Sequence, residues 1–286
     1  MSSPSIYESD TASDERPASQ PTRAKIQATF QIAHPPPKSS LRLSAKLLLQ
    51  IQQLAHRPRP VPVLEVWQPP FRKSKLTRDF YQRPKVRAGD IYATHDEPYI
   101  THKSSSRKVS AASDVPGKGD ESAQEKDIVA AMCQESSAKT IHFRDARCSW
   151  QASAGKAGLA QNIPCYRFTM NSESPDSPDP GRMVFQWEKR SAASNDETPS
   201  DTQFVLVVID RKARRKSRIA TMTPDGVEVL VHKSSIMEHL QVCLDLTCPV
   251  AAKAAGRDPY ENLETWLYTH VLTLGVWVAH EEGWFH

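Results

Sequence analysis

The stretch from Asp258 to the C-terminus constrains this chain most. Asp258-Pro259-Tyr260-Glu261 reads as a helix start: a capping carboxylate, proline at the first helical position, and Glu261 three residues after the cap. Leu263, Trp266, Leu267, Val271, Leu272, Leu274, Val276, Trp277 and Val278 then fall on nearly every face, and Gly283 suits the terminator. A helix that is apolar all round must be enclosed by protein or lipid. The apolar run from Trp266 to Ala279 covers roughly 21 Å at about 1.5 Å per residue. A membrane span needs about 20 apolar residues, and His270 interrupts the run. The expectation is therefore a helix buried in protein, packed against the strand-like segments that precede it.

Composition sets the rest of the frame. The chain has 286 residues, 22 prolines, only 10 glycines and a hydrophobic content of 38%. Polar, proline-rich stretches carry too little apolar surface to offset the entropy of ordering. The net charge of +4 is mild and does not by itself point to nucleic acid. Residues 1–20 are rich in serine and acids and lack the apolar core of a signal peptide. The five scattered cysteines, Cys133, Cys148, Cys165, Cys243 and Cys248, read as reduced thiols, which places the chain in the cytosol or nucleus.

Residues 1–38 read as a disordered tail, and 39–286 as a single β-rich domain with disordered insertions near 103–125, 171–181 and 191–202. Ser39 or Ser40 caps an expected amphipathic helix carrying Leu41, Leu47, Leu48, Ile51, Leu54 and Ala55, stopped by Pro58 and Pro60. Residues 61–67 and 90–95 read as strands, and 71–87 as a basic, irregular loop. A short helix is expected over 127–134. Residues 140–150 read as one strand whose apolar phase shifts, which suggests a bulge. From 163 to 232 the alternation predicts five antiparallel strands, among them 204–209, apolar on both faces. Pro224-Asp225-Gly226 marks a hairpin turn. The expected class is α+β: an antiparallel sheet or barrel-like domain with a buried C-terminal helix.

Three runs of the chain resemble an uncharacterised protein family of filamentous fungi. They are Leu47–Gln53 with Arg59–Leu64, Arg214–Thr223, and Gly275–Trp284. The order of strands followed by a terminal apolar helix is also similar to the tubby C-terminal-like fold. That resemblance implies a helix threading a β-barrel and, as in some members, phosphoinositide binding through basic residues. The eight or nine strands counted here are fewer than a full barrel of that kind.

Two basic clusters stand out. Arg211, Lys212, Arg214, Arg215, Lys216 and Arg218 put six cations into eight residues between two strands. They are the candidate site for an anionic ligand, against the plainer reading of a solvated hairpin or an import signal. Arg72, Lys73, Lys75, Arg78, Arg83, Lys85 and Arg87 interleave with Phe71, Phe80 and Tyr81, a mixture that suits single-stranded nucleic acid or a membrane surface, but Asp79, the prolines and the lack of a period point to a long loop. His239, Cys243 and Cys248 lack a fourth metal ligand at a usual spacing, so Cys243 reads as a core thiol. His280 and His286 read as an exposed tail. No nucleophile elbow, phosphate loop, dinucleotide fingerprint or zinc-protease motif is present. His142, Asp145 and Ser149 are close only in sequence. No metal or cofactor is expected. The leading function is a binding or scaffold module for anionic lipid or a membrane surface. The alternatives are a protein-interaction domain, using the 41–55 helix or a sheet edge, and a hydrolase without a recognisable motif.

Overall fold

The structure, a computed structural model, describes residues 26–35, 45–55, 59–70, 74–76, 79–101, 128–134, 138–144, 146, 148–157, 163–171, 183–191, 202–230, 234–247 and 259–285. The strands are β1 (Ala28–Ala33), β2 (Lys46–Leu54), β3 (Val61–Gln68), β4 (Ser74–Lys75), β5 (Lys85–Val86), β6 (Ile91–His95), β7 (Ile128–Gln134), β8 (Lys139–Phe143), β9 (Ser149–Ala157), β10 (Ile163–Asn171), β11 (Met183–Ser191), β12 (Thr202–Asp210), β13 (Arg215–Thr223) and β14 (Gly226–Val229). Among the described residues two helices follow, α1 (Ser234–Thr247) and α2 (Pro259–Glu281).

All strands but β4 and β5 join one closed antiparallel barrel, in the order β1-β14-β13-β12-β11-β10-β9-β8-β7-β6-β3-β2, with β2 pairing back to β1. Period-2 alternation turns Phe168 and Met170, then Met183, Phe185 and Trp187, then Phe204, Leu206 and Val208 into the shared core. A ring of twelve strands is too wide for these side chains to fill alone. Helix α2 fills it. Leu263, Trp266, Leu267, Tyr268, Val271, Leu272, Leu274, Val276, Trp277 and Val278 are all at most 7% exposed. Tyr268 meets Phe30 with ring centroids 5.4 Å apart, and Trp277 meets Phe168 at 5.4 Å. The buried-helix expectation holds, and the enclosing surface is protein. No described helix is long and apolar enough to cross a membrane.

Helix α2 runs along the barrel. Near its start, Gln27 donates to Glu264 at the N-terminal end of β1. Near its end, Glu281 pairs with Lys139 of β8, and Glu282 takes Lys189 of β11 and the Tyr166 hydroxyl of β10. Those two lysines offset the carboxylates at the negative end of the helix dipole. Gly283, at φ 74, closes the helix: its N–H donates to His280 and that of Trp284 to Ala279. His280 is not an exposed tail. It is half-buried in the last turn and packs on Phe285.

Several expectations are corrected. The tail does not extend to residue 38, because β1 lies inside it and carries Ala28 and Phe30 into the core. The amphipathic helix over 41–55 is instead strand β2 from Lys46 onward. Its Leu-rich run imitates a helical stripe only because two register shifts break its alternation. The helix expected at 127–134 is strand β7, whose central Ala130 and Ala131 are buried on opposite faces. The phase shift in 140–150 is a reversal between β8 and β9, not a bulge. Twelve strands line the barrel, more than the eight or nine counted. Helix α1, with Leu240 and Cys243 buried, was not anticipated.

The 71–87 segment is not simply a loop. Its described residues, 74–76 and 79–87, form β4 and β5 on the outer wall and bury Leu76, Phe80 and Val86 over Tyr92, Ala131 and Cys133. The insertion at 103–125 lies outside the described residues. So do 172–181 and 192–201, whose flanking residues Asn171, Ser191 and Thr202 belong to strands.

Candidate functional site

The six candidate residues divide between a turn and a strand. Strand β12 ends at Asp210, which pairs with Arg215 at the start of β13, and Arg211 to Arg214 form the turn between them. Asp210 is 3% exposed and its Oδ1 accepts the N–H groups of Lys212 at 2.9 Å and Ala213 at 3.0 Å. An aspartate that satisfies its own turn in this way fixes the loop from within. Arg214 then takes φ 50, the left-handed conformation that lets a longer turn return to strand twist. Arg211, Lys212 and Arg214 are exposed, and Arg215 is half-buried.

Lys216 and Arg218 lie on β13 itself. Lys216 is committed to an ion-pair network on the outer wall. Its Nζ donates to Glu188 at 2.7 Å, Arg190 donates to the other carboxylate oxygen at 2.6 Å, and Gln186 adds a bond at 2.9 Å. Arg167 reaches Gln186 at 3.2 Å. The Glu188 side chain is 2% exposed. Burial alone would raise its carboxyl, but Lys216, Arg190 and Gln186 together hold it below the ordinary range. The anion-facing set is thus narrower than the six residues read from the sequence: Arg211, Lys212 and Arg214 at the turn, with Arg215 and Arg218 behind.

The turn's position follows from strand alternation. Strand β1 begins where α2 enters, so β14 ends there, β13 begins there and β12 ends there. The basic turn therefore stands on the barrel rim at the α2 entry end. No sequence signal indicates that placement, because it depends on ring closure.

The other candidates are placed as follows. His142 and Ser149 face each other across β8 and β9, at 3% and 1% exposure, while Asp145 lies outside the described residues. Burial pulls the His142 imidazole down to about 4, outweighing the Tyr81 backbone, which favours the proton. Cys133, Cys148, Cys165 and Cys243 are buried and take part in no disulfide. Among the described residues no group of His, Cys, Asp and Glu is arranged to hold a metal. Of the contacts suggested for a protein partner, the 41–55 helix is a strand from Lys46 onward, and the barrel itself closes without a free edge among the described residues, while the two-stranded β4–β5 sheet stands outside it. No protein-family model, no curated protein and no solved structure matches this chain.

Proposed function

We propose that this chain is a non-catalytic binding module of the cytosol or nucleus that docks on anionic, phosphate-bearing lipid surfaces through the β12–β13 turn. One observation carries the reading: three exposed cations, Arg211, Lys212 and Arg214, sit on a rim turn held by the buried Asp210 carboxylate and two long strands. A turn held in this way loses little entropy when it meets phosphates. The resemblance to the tubby C-terminal-like fold, in which a helix threads a barrel and basic residues of some members bind phosphoinositides, adds support by analogy.

The test is co-sedimentation with anionic vesicles at low and high salt. The parent should bind and weaken as salt rises, because exposed charges are screened. Each basic residue near an anionic surface contributes about 1 kcal/mol, so replacing Arg211→Ser, Lys212→Ser and Arg214→Asn together should weaken binding about 100-fold. Asparagine at 214 tolerates the left-handed backbone. Thermal stability should stay within about two degrees, since exposed charges contribute little to folding. Lys216 is best left alone, because its removal would strip a partner from the buried Glu188. A parent protein that binds no anionic vesicle rules the reading out.

A further inference from the structure

Two tips of this barrel share an unusual combination of properties. The first is the β12–β13 turn, with Arg214 at φ 50. The second is the crest of the outer-wall segment between β4 and β5, where exposed Gln82 and Arg83 take φ 60 and 45. Among the described residues, these three are the only non-glycine residues in the left-handed region. Such conformations are costly for a side chain with a Cβ, and they concentrate at ligand clamps and switches. Here they mark the two basic tips.

Both tips lie at one end of the molecule. Phe80 forms a bridge with Arg144, the residue after β8 ends, and β8 ends on the α2 entry rim. In the ring β8 and β12 stand four strand steps apart, roughly 20 Å of wall at about 4.8 Å per step. Beside the second tip lies an open groove of about 490 Å³, lined by Asp79, Phe80, Tyr81, Gln82, Arg83 and Ala146. Two strand steps beyond β8, and opposite the β12–β13 turn, Asp96 and Glu97 follow β6. The entry rim thus carries Arg211, Lys212 and Arg214 at the first tip, Arg83 with Asp79 at the second, and Asp96 and Glu97 near Arg59 beyond β6.

We infer that the β4–β5 tip is a second anchor for the same anionic bilayer, and that the barrel docks end-on with both tips on the leaflet and the Asp96–Glu97 side tilted away. The inference rests on the proposed reading of the β12–β13 turn. A single phosphate can satisfy one tip, whereas a plane of head groups meets both. Tyr81, half-buried beside Arg83, is of a type that settles at head-group depth. Asp79, also exposed at this tip, limits its charge, so it is the weaker anchor.

The experiment uses the full chain and vesicles of phosphatidylcholine with phosphatidylserine. Arg83→Asn, which removes the charge and tolerates the backbone, should weaken partition about fivefold, and Arg83→Lys should restore most of it. A polarity-sensitive dye on Gln82→Cys should shift to the blue on vesicles. The same dye on Lys156→Cys, exposed near the opposite end of β9, should not. If the β12–β13 variant loses binding while Arg83→Asn binds like the parent and the dye at 82 stays unchanged, the second anchor is wrong and the first reading stands. A parent that binds no vesicles removes both. Tighter binding to a single-stranded RNA homopolymer or to polyglutamate, with the same Arg83 dependence, overturns the bilayer as the partner. Equal thermal midpoints show that a loss is not unfolding; if Arg83→Asn is destabilised, the dye at 82 decides.

Discussion

At the scale of single residues, His270 shows how tightly the barrel encloses its helix. The ring lies 3.9 Å from Phe143 in a stacked arrangement and 4.3 Å from Trp266. Its Nδ1–H donates to the Trp266 carbonyl at 2.9 Å, and Nε2 has no hydrogen-bond partner among the described residues. Burial pulls the imidazole down to about 3, against the Trp266 carbonyl, which favours the proton. His142 is pulled to about 4 for the same main reason. Both rings stay neutral in the fold, while in the unfolded chain each binds a proton near pH 6.5, so the unfolded state takes up more protons as pH falls. The stability they contribute is complete above about pH 6.5 and is lost as pH drops towards their folded values. Glu188 behaves differently. Its lowered carboxyl adds a loss only below the ordinary carboxylate range, near pH 4.5. Thermal midpoints measured between pH 7 and 5 should therefore fall, and His270→Phe should reduce that slope by removing one of the two titrating rings. A slope unchanged by His270→Phe would show that this imidazole is not buried neutral.

At the scale of elements, the barrel depends on the seam between β1 and β14. Gly226 opens β14, and a Cβ there would stand 2.2 Å from the Phe30 carbonyl oxygen. Both sides of that contact are backbone, so no rotamer change can relieve it. Gly226→Ala should push β1 off β14 and cost more than about 2 kcal/mol, among the larger effects of a single substitution. A denaturant midpoint within error of the parent would refute this. The sequence marks Gly226 only as part of a Pro-Asp-Gly turn. That a second strand crosses its Cα is a long-range fact, and strand β1 was itself hidden in a segment read as tail. The same limit explains β2 and β7. Ile128-Val129-Ala130-Ala131-Met132 has no visible period because both faces are covered, the inner by α2 and the outer by Phe80 and its neighbours. Strands with one solvated face, such as β10, and the capped, uniformly apolar α2 were legible because their patterns are local. The basic turn was legible as charge, but its division between turn cations and the wall-bound Lys216 was not, because Glu188 lies 28 residues away.

At the scale of the whole molecule, strand closure and helix burial should be one cooperative event. Twelve strands close a ring whose interior is occupied by α2, and the last strand of that ring, β14, lies C-terminal to all the others. Nothing in the ring can be fully packed until residues 259–281 are in place. The ten large apolar side chains of α2 buried in the barrel would each contribute about 1.5–3 kcal/mol relative to exposure, roughly 15–30 kcal/mol together. That is larger than the net stability of an ordinary domain, about 5–15 kcal/mol. Loss of the helix therefore cannot be absorbed as a local defect. A chain ending at residue 257 should keep strand-rich circular dichroism at most, lose near-ultraviolet signals, bind hydrophobic dyes and aggregate, the behaviour of a chain whose specific packing is gone. Adding a peptide covering residues 258–286 during refolding should recover part of the native signal, because the barrel wall and α1 supply the contacts the helix needs. A chain ending at 257 that unfolds cooperatively and gives sharp, dispersed NMR lines would show that the barrel closes without its helix.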